Sequence, residues 1–468
     1  MNVSGKPSDS IRRNILRTAW ILIGMLLCLF CYILYIEIAE GQMLTHHPLN
    51  SRGLQEISGI SRGSIVDSKG RTLAKTDDGV RSYPYGEAAE PVTGYVGVET
   101  GSAGIEHYAA MAITGRSAAD SHMGPIAQLF SDSSGSTVKL TIDAELQQTA
   151  YEALGGRKGA VVVLDADTGA VLVMASSPSF NPEDAAEHWD EISTDKDSVL
   201  LNRAVQGLYP PGSTIKPLVA AYALKDGRVK TDEVFECSGV LDVGGGYTIA
   251  ESHGEVHGRV TLKDALTESC NVTFGTLAGR LGKGGLKEMF SGVSFDETLS
   301  GDIESHLAEL PDFDSLSPGE LAQIGIGQSK LLVTPMAMAM LAEGFVNEGK
   351  IMKPYLVDEI ISPKGIRTSK TMPTAWNGSI PKSEAKIINS YMEAVVREGT
   401  GTAAYVDGVR VTGKTGTAEN ASGSDHAWFI GTAVIKGKKT AFAVLIENGG
   451  GGGSVAAPIV RDLILQMM

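Results

Sequence analysis

An 18-residue run without a charge, Ala19 to Ile36, sits near the N-terminus and decides how the rest of the chain is laid out. A bilayer core takes about 20 apolar residues as a helix, so this run with its flanks is long enough to span one. Lys6, Arg12, Arg13 and Arg17 precede it, and Glu37 and Glu40 follow it. The positive-inside rule then puts the N-terminus in the cytoplasm and the chain beyond about residue 40 outside. A cleaved signal peptide is the competing reading. The run is longer than a usual signal core, and no A-x-A-like site closes it. No later stretch is long and apolar enough to span. The expectation is a single-pass protein of the cell membrane with nearly all its mass outside.

The 468 residues allow two or three domains. Apolar residues at 43% and charged residues at 20% exclude wholesale disorder or a fibre. Forty basic against 55 acidic side chains leave a net charge of −15, which weighs against nucleic acid as a partner. Four cysteines are too few for a disulfide scaffold, and no paired C-x-x-C pattern suggests zinc. Cys28 and Cys31 lie inside the apolar run and read as small hydrophobes.

Beyond the anchor, Arg62 to Ala74 reads as strand, Ser-Lys-Gly turn and strand. Ser131 to Ser136 is a short low-complexity break. Val138 to Ile142 reads as a strand and Ala144 to Leu154 as a helix. Ala160–Leu164 and Ala170–Met174 flank an Asp/Thr/Gly turn, which predicts a hairpin. Residues 213 to about 340 are rich in helical patterns. Ala427–Ile435 and Thr440–Glu447 predict two late strands, and Ala457–Met467 a closing amphipathic helix. Strands at both ends with helices between imply an antiparallel sheet packed by helices. Gly449 to Gly453 lacks the Lys-Ser/Thr of a phosphate loop and reads as a flexible turn.

A serine followed three residues later by a lysine is a known nucleophile pattern, and it is cheap. The chain has five: Ser136/Lys139, Ser193/Lys196, Ser213/Lys216, Ser379/Lys382 and Ser383/Lys386. Only Ser213 follows a stiff Pro210-Pro211-Gly212 turn and opens a helical pattern in which Pro217 is tolerable. There its N–H and the helix dipole favour a developing oxyanion, and Lys216 shares its face. An ordinary ammonium is no base, so burial must lower the pKa of Lys216. Alone, the pair reads equally well as a capping serine and a surface lysine. Ser269-Cys270-Asn271, 56 residues on, offers a hydroxyl to relay a proton and an amide to hold an amine and a carbonyl. Ser179-Phe180-Asn181 has the same spacing but lies upstream. Lys414-Thr415-Gly416-Thr417, 201 residues past Ser213, is the one Lys-Ser/Thr-Gly in the chain. It supplies a cation for a carboxylate, two hydroxyls, and a glycine that lets a peptide approach an edge strand.

These three motifs in this order, after one membrane anchor, resemble the class B penicillin-binding proteins, the membrane-anchored D,D-transpeptidases of bacterial wall synthesis. Arg62-Gly63, Asp67 and Gly70 are similar to the start of that family's pedestal. Leu140-Thr141-Ile142-Asp143 with Gln147 resembles the entry to its transpeptidase domain. Asn202-Arg203-Ala204, Gly325-Ile326-Gly327-Gln328 with Thr334-Pro335, and Ala427-Trp428-Phe429-Ile430-Gly431 match further family segments. The short chain fits the compact Gram-positive forms. The resemblance implies an α+β fold: an antiparallel sheet flanked by helices plus an all-helical region, with a β-rich pedestal and one transmembrane helix. The expected division is a cytoplasmic tail at 1–18, the transmembrane helix at 19–38, a dimerisation-type pedestal at 39–140 and the transpeptidase domain at 141–468.

By the same resemblance, Ser213 is the nucleophile, Lys216 its base, Ser269 the proton relay, and Asn271 the group that orients lysine and substrate. Lys414, Thr415, Gly416 and Thr417 bind substrate, and the N–H groups of Ser213 and Thr417 form the oxyanion hole. Peptidoglycan stem peptides are the implied substrate and β-lactam antibiotics the implied inhibitors. The chemistry needs no metal or organic cofactor. A multispanning glycan polymerase of the shape, elongation, division and sporulation type is the implied partner. A carboxypeptidase or β-lactamase, and a β-lactam sensor or idle scaffold, are the alternatives on the same fold. Cys237 and Cys270 raise the question of a disulfide outside the membrane. His253 and His257 are four apart, but Gly254 and Gly258 argue against the helix a metal pair would need.

Overall fold

The computed structural model describes residues 9–35, 62–97, 100–115, 135–244, 246–420 and 423–468. Lys6, Glu37, Glu40 and most of the break at Ser131–Ser136 lie outside them. The chain divides into two units, Met1–Ser58 and Gly59–Met468.

In the first unit, α1 spans Asp9–Tyr35. Its stretch Arg13–Ile33 is long and apolar enough to cross a membrane. Large side chains such as Trp20, Leu26 and Phe30 are exposed on it.

The second unit opens with β1 (Ile65–Val66), β2 (Thr72–Asp77) and β3 (Val80–Ser82), followed by β4 (Thr137–Leu140). The expected hairpin is there: β1 pairs antiparallel with β2. β1 also pairs parallel with β4, and β4 takes Val357–Ile361 antiparallel on its other side. Arg367–Lys370 completes a six-stranded sheet. Residues from both sides of position 140 therefore share this sheet. A buried ion cluster fixes it, with Arg62 and Arg81 each 2.6 Å from a different oxygen of Glu106.

Helix α2 (Ala144–Leu154) leads into β5 (Gly159–Asp165) and β6 (Val171–Ser177), the second expected hairpin. Gln147 ties them together, donating to the carbonyls of Ala88 and Met174 and accepting from the Met174 N–H. The helical middle holds α3 (Lys216–Lys225), two short strands β7 (Val234–Cys237) and β8 (Gly258–Thr261), α4 (Asn271–Gly292) and α5 (Pro335–Val346). After α6 (Lys382–Glu398) come β9 (Arg410–Ala418), β10 (His426–Ile435) and β11 (Lys438–Ile446), then the closing helix α7 (Gly452–Met467).

The central sheet runs β9-β10-β11-β5-β6, all antiparallel, with β9 at one edge. It has a core on each face because its strands alternate. Trp428 and Ile430 of β10 join the larger core with α3 and α5, whereas Phe429 and Ala433 join the smaller one with α2 and α7. The glycine run before α7 is not merely flexible, since Gly452 begins the helix. A Cβ there would stand 2.1 Å from the Trp428 carbonyl oxygen and 2.4 Å from that of Gly416. Only glycine allows this approach of backbone to backbone.

Candidate active site

Ser213 lies in a 3-10 turn, Gly212–Ile215, that runs directly into α3. Gly212 has φ +53°, and its N–H donates to the Gly327 carbonyl at 2.9 Å. Trp428 Nε1 donates to the Pro210 carbonyl at 3.0 Å, and Thr214 Oγ1 to that of Pro211 at 2.6 Å. These bonds leave Ser213 half-buried beside β9. A Cβ on Gly212 would stand 2.8 Å from the Thr417 carbonyl oxygen, and one on Gly416 2.8 Å from Thr214 Cγ2. Two glycines thus let the turn and the edge strand press together.

Lys216 is the first residue of α3, one turn past Ser213, and it is fully buried. Its Nζ donates to the Ser269 carbonyl at 2.5 Å and to Asn271 Oδ1 at 2.8 Å, with Ser269 Oγ at 3.3 Å. Burial pushes its pKa down to about 8, against the opposing pull of Glu251 and Cys270. A neutral amine has two hydrogens and one lone pair. The two short bonds use the hydrogens, which leaves the lone pair for a neighbouring hydroxyl.

Lys414 reaches the same place from β9. It is also fully buried, and its Nζ donates to Ser269 Oγ at 2.9 Å and to the Thr415 carbonyl at 3.0 Å. Burial, and then the nearby Lys216, hold its pKa well below the usual lysine value. Ser269 carries φ +64°, a left-handed conformation rare outside glycine. Strain of this kind gathers where a side chain must be aimed.

The structure therefore joins Lys216, Ser269, Asn271 and Lys414 into one hydrogen-bonded chain. Ser213, one turn before Lys216, makes no side-chain hydrogen bond among the described residues, a looseness common in substrate-free sites. Thr417 is exposed on β9. Thr415 is buried, and its hydroxyl shares a 2.7 Å hydrogen bond with that of Thr400. Its first partner is thus a protein group, not solvent.

One member of the site was not legible in the sequence. Glu251 accepts from the N–H groups of Asn271 and Val272, each at 2.8 Å, at the N-terminus of α4. Burial opposes its charge, but those N–H groups, the Cys270 thiol and Lys216 outweigh it and lower its pKa. A carboxylate at a helix N-terminus is also favoured by the dipole. Cys237 and Cys270 are both free thiols, and each lies within 3.4 Å of Glu251 Oε1.

The penicillin-binding protein transpeptidase domain model matches residues 159–465, and the penicillin-binding protein A dimerisation domain model matches residues 62–138. The chain is 31% identical to peptidoglycan D,D-transpeptidase PbpA of Mycolicibacterium smegmatis, covering 96% of this chain and 97% of that one. It is 30% identical to stage V sporulation protein D of Bacillus subtilis over 85% of this chain and 65% of that one. Among solved structures, the ceftriaxone acyl-enzyme complex of penicillin-binding protein A from M. tuberculosis superposes with a TM-score of 0.81. Identity is 28%, with 88% of this chain and 99% of that one covered. The D,D-transpeptidase domain from Eggerthella lenta gives a TM-score of 0.78 at 33% identity, with 87% and 97% covered.

Proposed function

The chain belongs to the penicillin-binding protein transpeptidases, and on that premise we propose that it is a peptidoglycan D,D-transpeptidase acting through an ester on Ser213. The observation that carries this reading is the buried Lys216 amine. Two close acceptors and a third at 3.3 Å hold it, with no carboxylate among the described residues hydrogen-bonded to it, one helical turn from the serine.

In this reading Ser213 Oγ attacks the carbonyl carbon of the penultimate D-Ala of a stem peptide, while its proton passes to Lys216 Nζ. The N–H groups of Ser213 and Thr417 hold the oxyanion. The peptide bond to the terminal D-Ala breaks, and its nitrogen takes a proton through Ser269. Lys414 and Thr417 meet the terminal carboxylate, and that negative charge compensates a Lys414 that burial otherwise discharges. Gly416 lets the peptide lie along the β9 edge. Thr415 positions the strand through Thr400, and by accepting the Thr400 proton it keeps its own O–H to donate to the carboxylate. Asn271 fixes both the lysine and the substrate amide. An amine of a neighbouring stem then attacks the ester and completes the cross-link.

The reading extends to the layout. Helix α1 anchors the chain with its N-terminus in the cytoplasm, residues 39–140 form the pedestal, and residues 141–468 catalyse. A multispanning glycan polymerase is the partner, because nothing in this chemistry extends glycan.

The test is labelling with a fluorescent penicillin, followed for hours. A long-lived adduct on the wild-type chain, lost in Ser213→Ala, supports the transpeptidase. A fleeting adduct with steady drug hydrolysis supports a β-lactamase instead, and no adduct on either protein would leave a scaffold.

A further inference from the structure

At the end of the central sheet, past Thr417, a side-chain cluster touches both the edge strand and the approach to the nucleophile. We propose, on the reading that Ser213 is acylated, that His426 is a positioning residue for acyl transfer. It clamps the end of β9 against the segment that leads into Ser213. In that reading the two N–H groups of the oxyanion hole belong to separate segments, Ser213 in the 3-10 turn and Thr417 on β9. Donors aimed at one oxygen from two elements work only if their spacing is held.

His426 opens β10 opposite Ala418, the last rung of the β9–β10 ladder and the residue after Thr417. The ladder of β10 with β11 stops one residue further in, at Ala427 and Ile446. Beyond these rungs side chains take over. His426 is buried, and its Nδ1 accepts the backbone N–H of Asn448 at 3.1 Å. Asn448 stands at φ +52°, and its Oδ1 accepts from Asn420 Nδ2 at 2.9 Å. Asn420 lies two residues past the end of β9. Beside them the Asp425 carbonyl accepts the Gly450 N–H at 2.9 Å. The end of β9 is thus tied to the turn after β11, with the imidazole at the junction.

The same imidazole meets the nucleophile segment. Its ring packs edge-to-face on Tyr209, with centroids 5.5 Å apart and an interplanar angle of 84°. Tyr209 is four residues before Ser213 and is itself fixed. It exchanges both backbone hydrogen bonds with Val333, at 3.0 and 2.9 Å. Its hydroxyl donates to Glu447 Oε1 at 2.8 Å, and Arg203 Nε donates to the same oxygen at 2.8 Å. Tyr209 also packs edge-to-face on Trp428, whose Nε1 holds the Pro210 carbonyl. A displaced His426 would therefore shift both the Tyr209–Gly212 approach and the end of β9.

The clamp depends on one protonation state. A backbone N–H can only donate, so Nδ1 carries the lone pair and the ring proton sits on Nε2. Burial holds the pKa of His426 below its ordinary value of 6.5, while the Glu447 and Asp425 carboxylates pull the other way. Glu447 is already engaged by Arg203 and by the Tyr209 hydroxyl. A proton on Nδ1 would set N–H against N–H, facing both Asn448 and the Asn420 amide 3.5 Å away, and the tie would open. The clamp is complete with His426 neutral and is lost as the pH falls through its pKa.

The experiment is stopped-flow acylation of the full chain in detergent by a fluorescent penicillin, at rising drug concentration to separate capture from the acylation constant. His426→Ala should lower the acylation constant about tenfold or more at neutral pH and leave capture within about threefold, because a donor misplaced by about 1 Å costs that much. His426→Asn puts an acceptor oxygen where Nδ1 stood and should restore the rate to within about threefold of wild type. A merely structural role would not move the pH profile. Well below pH 6.5 the wild-type rate should steepen toward about a hundredfold per pH unit, as Lys216 and His426 both take protons. His426→Asn, which cannot take that proton, should keep about tenfold. Should His426→Ala not fold, the asparagine variant and the two pH profiles decide alone. An alanine variant as fast as wild type, an asparagine variant slowed more than about tenfold, or equal low-pH slopes in wild type and His426→Asn overturns the proposal while leaving Ser213 as the nucleophile. A wild type with no adduct that depends on Ser213 overturns the transpeptidase reading together with it, so the two failures are distinguishable.

Discussion

Lys216 and Lys414 converge on one hydroxyl, their Nζ atoms 3.3 and 2.9 Å from Ser269 Oγ. Two buried cations this close repel each other, so the apo site favours a state with at least one amine neutral. Lys216 is the one held by Ser269 and Asn271 in the geometry of a base. Lys216→Met should lower β-lactam acylation by about 100- to 10,000-fold, the usual span for losing a positioned base. A loss under threefold in stopped-flow acylation would count against its role.

The pH dependence follows from the same amine. With Lys216 lowered to about 8, most of it is protonated at pH 7 and neutral at pH 9. In the proposed mechanism the neutral form is the base. Acylation should rise about tenfold per pH unit below the pKa and level above it. Rate constants measured from pH 6 to 9.5 check this, and a rate that falls as pH rises would contradict it.

Ser269 offers a separation of backbone from side chain. Ser269→Ala and Ser269→Gly both remove the hydroxyl and should lose similar acylation. Only glycine is at ease at φ +64°, so Ser269→Gly should be the more stable by about 1 kcal/mol. Urea unfolding of the pair gives the comparison.

Gly416→Ala should disable the site more than the fold. Its new Cβ would meet Thr214 Cγ2 at 2.8 Å and the Pro211 carbonyl at 3.0 Å, which pushes β9 off the nucleophile turn. Acylation should fall by more than about tenfold with a folded far-ultraviolet spectrum, since a displacement of 1 Å costs that much or more.

Glu90 predicts a stability slope away from the site. Burial raises its pKa to about 8, opposed by the Ser179 hydroxyl 2.8 Å away. The folded state then holds a proton that the unfolded chain has already lost above its ordinary value of 4.5. This contribution to stability is complete at low pH and disappears as pH rises toward 8, by at most about 1.4 kcal/mol per pH unit. Glu90→Gln should flatten that slope in urea midpoints from pH 5 to 8. An unchanged slope would show that Glu90 ionises freely.

The local signals in the sequence were reliable where one segment settles its own structure. The hairpin of β5 and β6 follows from two β-branched runs around Asp165 to Gly169, and α2 from its own pattern. Lys216 and Lys414 were legible as candidate site residues because motif order placed them. Glu251 had no such signal. It gains meaning only when the hairpin before it folds back against α4, and nothing in Ala250-Glu251-Ser252 announces that. The Thr415–Thr400 bond was hidden for the same reason, since it depends on where α6 ends. The glycines at 449–453 looked mobile because composition cannot tell a loose turn from a backbone that must pass close to Gly416.

The six-stranded sheet sets an order of events for a chain made from its N-terminus. β4 has β1 on one side from early on, but its other edge waits for Val357–Ile361. Over two hundred residues must leave the ribosome before that edge is covered. Open strand edges pair with whatever strand they meet, and distant pairings form slowly. Nascent chains stalled before residue 357 should therefore be the ones that aggregate, and a truncated pedestal made alone would carry the same uncovered edge.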